Sequence, residues 1–239
     1  MSPFAPPAGR GGPQVIPRPE GARLGARAPW FELPDDLRRL TADDLRACLA
    51  DREPGILFTG VPARRRDAAV LAPFYEEEGE LHVVLTRRSP NLRSHTHQVS
   101  FPGGSRDEGE SLEETALREA EEEIALDPTS VELVGELDRL HTFTSGSVIV
   151  PFVGVLPGRP ELIPAPSEVE HILHVPVAEL LAEDVHREEL WPFPDGGERP
   201  VHFFELVGDT VWGATAAMLR QLLLTCLGLP DPSPRPLTP

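Results

Sequence analysis

The stretch FPGGSRDEGESLEETALREAEEEIAL, residues 101–126, sets two adjacent glycines ahead of nine acidic side chains between Asp107 and Glu123, with only Arg106 and Arg118 to offset them. Its boundaries predict a helix: Ser111 followed by Glu114 is a capping box, and Asp127-Pro128 stops the helix at the other end. Leu112, Ala116, Ala120 and Ile124 fall on or near one apolar stripe, while Glu119, Glu122 and Glu123, at i, i+3 and i+4, project from one face. A plain reading is a solvated face in which Arg118 pairs with Glu114 and Glu122. The glycines favour a second reading. A tight Gly103-Gly104 turn can aim a backbone carbonyl at the same place, and three carboxylates plus the Gly103 carbonyl make an all-oxygen site for a hard divalent cation, Mg²⁺ above all. Clustered carboxylates repel one another by several kcal/mol at intermediate dielectric, and a bound cation removes that cost.

The rest of the chain bounds the possibilities. With 239 residues, 40% of them hydrophobic, one folded domain with tails is the natural expectation. Residues 1–29 and 229–239 are rich in proline, the first also in glycine and arginine, and read as disordered or draped on a folded body spanning 30–228. The opening residues hold no apolar signal core and no run suits a membrane span, so a reducing cytoplasm is expected. Cys48 and Cys226 are too few for a disulfide framework or thiolate metal site and read as separate small buried hydrophobes. A net charge of −17 disfavours nucleic acid and anionic membranes as partners. An anionic substrate would need local help from a cation or from arginines.

Working outward from the acidic stretch, DAAVLAPFY and LHVVLTRRS read as a hairpin joined by EEEGE, and QVSF as a short strand entering the glycine turn. VELVGELDRL and SVIVPFVGVL are further strands, HILHVPVAELL a strand running into a short helix, and VHFFELVGDTVWG a hairpin turning at Gly208-Asp209. Helices are expected at LTADDLRACLADRE, where Thr41 can cap, and at ATAAMLRQLLLTCLGL. The first has no reading beyond packing. Strands in hairpins with helices between them predict an α/β layered fold around a mixed sheet.

Gly104, Glu110, Arg118, Glu119, Glu122, Glu123 and Leu126 also fall on the fixed positions of a known pattern, and the stretch resembles the box of the Nudix hydrolases. Two positions depart: Ala120 is small for a bulky apolar site, and Ala125 replaces a glycine that allows a left-handed helix end, at about 1 kcal/mol or with another terminus geometry. The resemblance implies a Nudix α/β/α sandwich with a mixed sheet and Mg²⁺- or Mn²⁺-dependent hydrolysis of a small-molecule diphosphate. Carried over, Glu119, Glu122 and Glu123 would be metal ligands with the Gly103 carbonyl, Arg118 would orient a carboxylate, and Glu110 would support the loop–helix geometry. A carboxylate would take the proton of the attacking water, Glu119 or Glu122 being preferred. Glu168, in PSEVEHI, is a further base or ligand candidate, against a plain reading as a helix-start glutamate.

The approach, LTRRSPNLRSHTHQVSFPGG (residues 85–104), carries the substrate argument. Arg87, Arg88 and Arg93 cluster there in an acidic chain, and arginine forks match phosphate oxygens, though each can instead pair with the acidic helix. His95 and His97 suit a loop or hydrogen-bonding role better than a two-histidine metal site. Leu85, Thr86, Arg88, Ser89, Arg93, Phe101, Pro102, Gly103 and Gly104 resemble the motif before the box in the coenzyme A diphosphatases of the superfamily, which implies Arg88 and Arg93 as substrate contacts. His97 stands where that motif has glycine. Hydrolysis of ADP-ribose or a dinucleotide therefore stays open, and a non-catalytic binding module ranks last because the three glutamates are intact. The resemblance covers about residues 65–225. Trp212 reads as a core aromatic, and a homodimer is compatible with the sequence.

Overall fold

The computed structural model describes residues 2–58, 66–92, 96–141, 147–193 and 196–231. In chain order its elements are β1 (Arg23–Leu24), α1 (Ala42–Leu49), β2 (Ile56–Phe58), β3 (Arg66–Glu77), β4 (Glu80–Arg88), β5 (Val99–Ser100), β6 (Gly103–Ser105) and α2 (Leu112–Ile124). There follow β7 (Glu132–Glu136), β8 (Arg139–His141), β9 (Ser147–Val155), β10 (Val169–Pro176), α3 (Val177–Leu180), β11 (His186–Pro192), β12 (Glu198–Glu205), β13 (Thr210–Trp212) and α4 (Gly213–Cys226).

A mixed sheet runs β10-β4-β3-β9-β8-β2, with β5 on β4, β6 on β3 and β7 on β9. β3 is its spine: antiparallel to β4 through a tight turn, antiparallel to β6, and parallel to β9 from Arg66↔Ser147 to Phe74↔Val155. Glu78 and Gly79 at that turn both have positive φ, 51° and 80°, the twist a two-residue hairpin needs. Alternation along β3 splits the core. Ala69, Leu71 and Tyr75 meet Ala116, Ala120 and Ile124 of α2 on one face. Ala72 and Phe74 meet the layer of α1, α3 and α4 on the other. The result is the expected α/β layering. Ala120, small for its motif position, is fully buried, and a small side chain there lets α2 lie close on β3.

A second, antiparallel sheet, β1-β11-β12-β13, stands beside the first. Its β11 was not expected, and the chain before α1 makes contacts with this part of the molecule: β1 pairs with β11 and Gly11 donates its N–H to Leu206 O at 2.8 Å. Two other expectations, the single VELVGELDRL strand and the separate cysteines, are corrected. VELVGELDRL is two strands, broken where Asp138 turns aside to accept from Gly55 N–H at 2.7 Å and pair with Arg52. The first helix is capped by Thr41 as expected, in a capping box with Asp44, and runs from Ala42 to Leu49. Cys48 and Cys226 are joined as a disulfide between α1 and α4, Cα–Cα 5.2 Å. Trp212 packs with Phe203 and Trp191 at the β13–α4 junction. Among the described residues, no helix is long and apolar enough to cross a membrane.

Candidate active site

The site is built where β6 delivers the chain to α2. Gly103 has φ +155°, and a Cβ there would lie 2.4 Å from Ala69 O, so only glycine lets β6 press against β3. At Gly104 a Cβ would sit 2.5 Å from the Glu119 carboxyl, so the absent side chain is what admits Glu119 to the turn. The helix then starts as expected: Ser111 Oγ accepts from Glu114 N–H at 3.1 Å and Glu114 accepts from Ser111 N–H at 2.8 Å.

Arg118 organises the exposed side of the cluster. It donates to both oxygens of Glu110, at 2.8 and 3.1 Å, and through Nη1 to Glu119 and Glu122, each at 3.0 Å. Its expected partner Glu114 is occupied by the cap, and Glu110 takes that place. Hydrogen bonds from Arg118 hold the Glu110 carboxyl down to about 2, and the same partners raise Arg118 itself. Glu110 also accepts from Asp107 N–H and Thr115 Oγ1, so it locks the loop onto the helix.

Glu123 lies deeper. Its side chain is 5% exposed, it accepts a long bond from Gly103 N–H at 3.4 Å, and Arg88 Nη1 stands 3.8 Å away. Burial pushes its carboxyl up to about 7, with Arg88 opposing and the charges of Glu119 and Glu168 adding to the rise. Burial likewise raises Glu119 against the pull of Arg118. Glu168 is exposed on a third segment, close enough for its charge to act on Glu119 and Glu123. It precedes strand β10 rather than a helix, which corrects the dipole reading, and its carbonyl accepts from Ser89 N–H at 2.8 Å.

The structure thus brings Glu119, Glu123, Arg88 and the Gly103-Gly104 turn together, with Glu168 near enough to bear on both carboxyls. Glu122 is held at the rim, 60% exposed, by Arg118. Among the described residues no three acidic, histidine or cysteine groups are gathered tightly enough to hold an ion as they stand. The contact from Gly103 to Glu123 is made by its N–H. Arg87 turns away from the site to Glu170 (3.0 Å) and Asp209 (3.1 Å), while Arg93 and His95 lie outside the described residues. The donor set fits a hard divalent cation: carboxylate oxygens only, two of them carrying a burial cost that positive charge would relieve.

The two residues that replace a family-pattern glycine, Ala125 and His97, sit in left-handed backbone. Ala125 ends α2 at φ 55°, its N–H donating to Ala120 and Glu121 carbonyls, so the glycine-type terminus is kept without glycine. His97 has φ 59°. Its ring Nδ1 meets Glu170 at 3.1 Å and its carbonyl accepts from Gln14 Nε2 at 2.9 Å. Nothing in the sequence pointed to Gln14, Glu170 or Asp209; they act through contacts far apart in the chain.

A mixed sheet between helix layers, with a glycine turn leading into a carboxylate-bearing helix, defines a Nudix sandwich. Residues 64–197 match the NUDIX domain family model, and the chain belongs to the Nudix hydrolase family. It is 38% identical over 164 residues to an uncharacterized Nudix hydrolase, NudL, of Photorhabdus laumondii, covering 66% of this chain and 83% of the relative. To NudL of Citrobacter koseri it is 35% identical over 187 residues, 77% of this chain and 94% of the relative. The crystal structure of a MutT/nudix family protein from Enterococcus faecalis superposes with a TM-score of 0.46 at 14% identity, covering 86% of this chain and 81% of that one.

Proposed function

We propose that this Nudix hydrolase cleaves the diphosphate of coenzyme A or an acyl-coenzyme A in a reaction dependent on Mg²⁺ or Mn²⁺, giving 3′,5′-ADP and 4′-phosphopantetheine or its acyl form. The observation that carries the reading is Arg88 standing beside buried Glu123 at the glycine turn, with its Nε buried and without a hydrogen-bond partner among the described residues. A guanidinium so placed, and only loosely paired, is a ready partner for a phosphate oxygen. Glu119, Glu122 and Glu123 are the proposed ligands, with the Gly103 carbonyl. A divalent cation held there neutralises phosphate oxygens and supplies a water of lowered pKa.

The chain's own groups do the rest. Arg118 holds Glu119 and Glu122 at fixed spacing, and Glu110 fixes Arg118. Arg88, with Arg93, binds the charge of the diphosphate or of the 3′-phosphate. Glu119 or Glu122 takes the proton from the attacking water, with Glu168 as the candidate outside the helix. His97 in place of the motif glycine supports a second reading, ADP-ribose or another nucleoside diphosphate derivative, because its side chain occupies a position the coenzyme A motif leaves bare. The deciding experiment compares kcat/KM for coenzyme A, ADP-ribose and a dinucleotide with Mg²⁺ and Mn²⁺. A preference for coenzyme A is expected. A tenfold preference for ADP-ribose, about 1.4 kcal/mol in transition-state binding, would transfer the assignment to the second reading.

A further inference from the structure

The segment before α1 is fastened to the molecule at points with no local relation in sequence. Arg10 pairs with Glu179 at 2.7 Å, and Arg18 pairs at 2.7 Å with Glu189, whose side chain is fully buried. Between these anchors Gln14 uses its whole amide. Oε1 accepts from Thr210 N–H at 2.8 Å, and Nε2 donates to Asp209 Oδ1 at 2.7 Å and to the His97 carbonyl at 2.9 Å. This fixes the amide's orientation, since only the nitrogen can serve two acceptors.

The far end of that contact leads to the site. His97 N–H donates to the Arg88 carbonyl at 3.1 Å, and Arg88 N–H donates to the Gln98 carbonyl at 2.9 Å. His97 therefore links Gln14 to the backbone of Arg88, through its carbonyl on one side and its N–H on the other. His97 is in left-handed backbone, φ 59°, which a residue with a Cβ adopts reluctantly, so outside contacts must hold it.

We propose that the N-terminal segment is a strap and that Gln14 is a positioning residue for the diphosphate site, setting Arg88 against Glu123 through His97. This rests on the reading that Arg88 meets a substrate phosphate. A side chain that merely glued the segment down would lower stability without coupling to Arg88.

The test is a double-mutant cycle in the full chain, with Gln14→Ala, Arg88→Ala and the pair, assayed on coenzyme A with Mg²⁺ alongside hydrogen exchange at the His97 and Arg88 amides. Gln14→Ala is expected to lower kcat/KM about tenfold, mainly through KM, and to cost less than a further twofold once Arg88 is gone. Its His97 amide should exchange faster while those of α2 do not change. Gln14→Glu, nearly the same shape, should fail to restore KM because it cannot donate to the His97 carbonyl, and it serves as the second variant if alanine does not fold. Losses that multiply independently, or unchanged exchange at His97 and Arg88, would overturn the strap. Full activity in Arg88→Ala would instead remove Arg88 from the substrate, leaving the exchange measurement to decide the strap by itself.

Discussion

Ala125 and His97 occupy the same backbone state by opposite means. Both stand where the family pattern has glycine, and both have φ near 55–59°. Ala125 ends α2 and is held from inside, by bonds from its own N–H to the last turn of the helix. The last turn also takes two bonds from the segment between β9 and β10, where the Ile163 and Ala165 N–H groups donate to the Ile124 and Glu123 carbonyls. His97 is held from outside, by Glu170 through its ring and by Gln14 through its carbonyl. A left-handed residue locked by local bonds loses nothing when its side chain is removed; one locked by a side-chain partner loses that partner. The carboxylate side of the site is therefore self-supporting, and the arginine side depends on contacts brought from the strap and the second sheet.

The largest effect should come from the self-supporting side. Glu122→Gln keeps shape and removes charge from an exposed rim residue, so it should lower kcat by about 10²–10³-fold, several kcal/mol of transition-state stabilisation. Stability should scarcely move, since exposed ion pairs are worth about 0–1 kcal/mol. Near wild-type kcat with metal still required would take Glu122 out of the chemistry. On the dependent side, Arg88→Ala should lower kcat/KM by about 10–100-fold, the worth of one charge-assisted hydrogen bond to phosphate. Steady-state kinetics on coenzyme A checks both.

Acid separates the two sides by sign. Burial holds His186, in the second sheet, down to about 3, and lowers its neighbour His202 as well. Between the ordinary imidazole value of 6.5 and about 3 the unfolded chain binds protons that the fold refuses. Stability supplied by neutral His186 is therefore complete above pH 6.5 and declines as pH falls, by at most about 1.4 kcal/mol per pH unit. Glu123 works the other way: raised to about 7, it binds a proton in the fold before the unfolded carboxyl does, which stabilises as pH falls from 7 toward 4.5. Urea unfolding of Glu123→Gln at pH 7 and pH 5 should accordingly show a steeper acid loss than the wild type. An equal loss in both proteins would mean that Glu123 is ionised throughout.

The smallest effects bear on the comparison itself. Ala125→Gly should raise stability by up to about 1 kcal/mol, because glycine adopts that conformation without strain. His97→Gly relieves the same strain but removes the Glu170 contact, so its net change should be near zero or negative. Similar gains from both substitutions, measured by urea midpoint, would erase the distinction drawn between the two positions.

What sequence could disclose follows the same division. The β3–β4 hairpin, α2 with its capping box, and the glutamate spacing are set by residues close together in the chain, and periodicity exposes them. Strand β11 was hidden because three of its four buried positions, His186, Glu188 and Glu189, are polar, with Trp191 the apolar fourth. Glu189 is fully buried yet paired with Arg18, Arg187 and Trp191 Nε1, and His186 and Glu188 are buried beside it, so no apolar alternation marks the strand. The Cys48–Cys226 pairing spans 178 residues, beyond the reach of local pattern. Gln14 sits in a proline- and glycine-rich stretch whose composition announces nothing, and its role exists only through partners some 83 and 195 positions away.

The account turns on whether the acidic face of α2 holds a divalent cation. Mn²⁺ binding to the purified protein, followed by electron paramagnetic resonance in the wild type and in a Glu119→Gln/Glu123→Gln variant that keeps its fold, measures this without reference to substrate. The account predicts Mn²⁺ bound by the wild type and affinity at least tenfold weaker in the variant. Equal binding by the two proteins would contradict it.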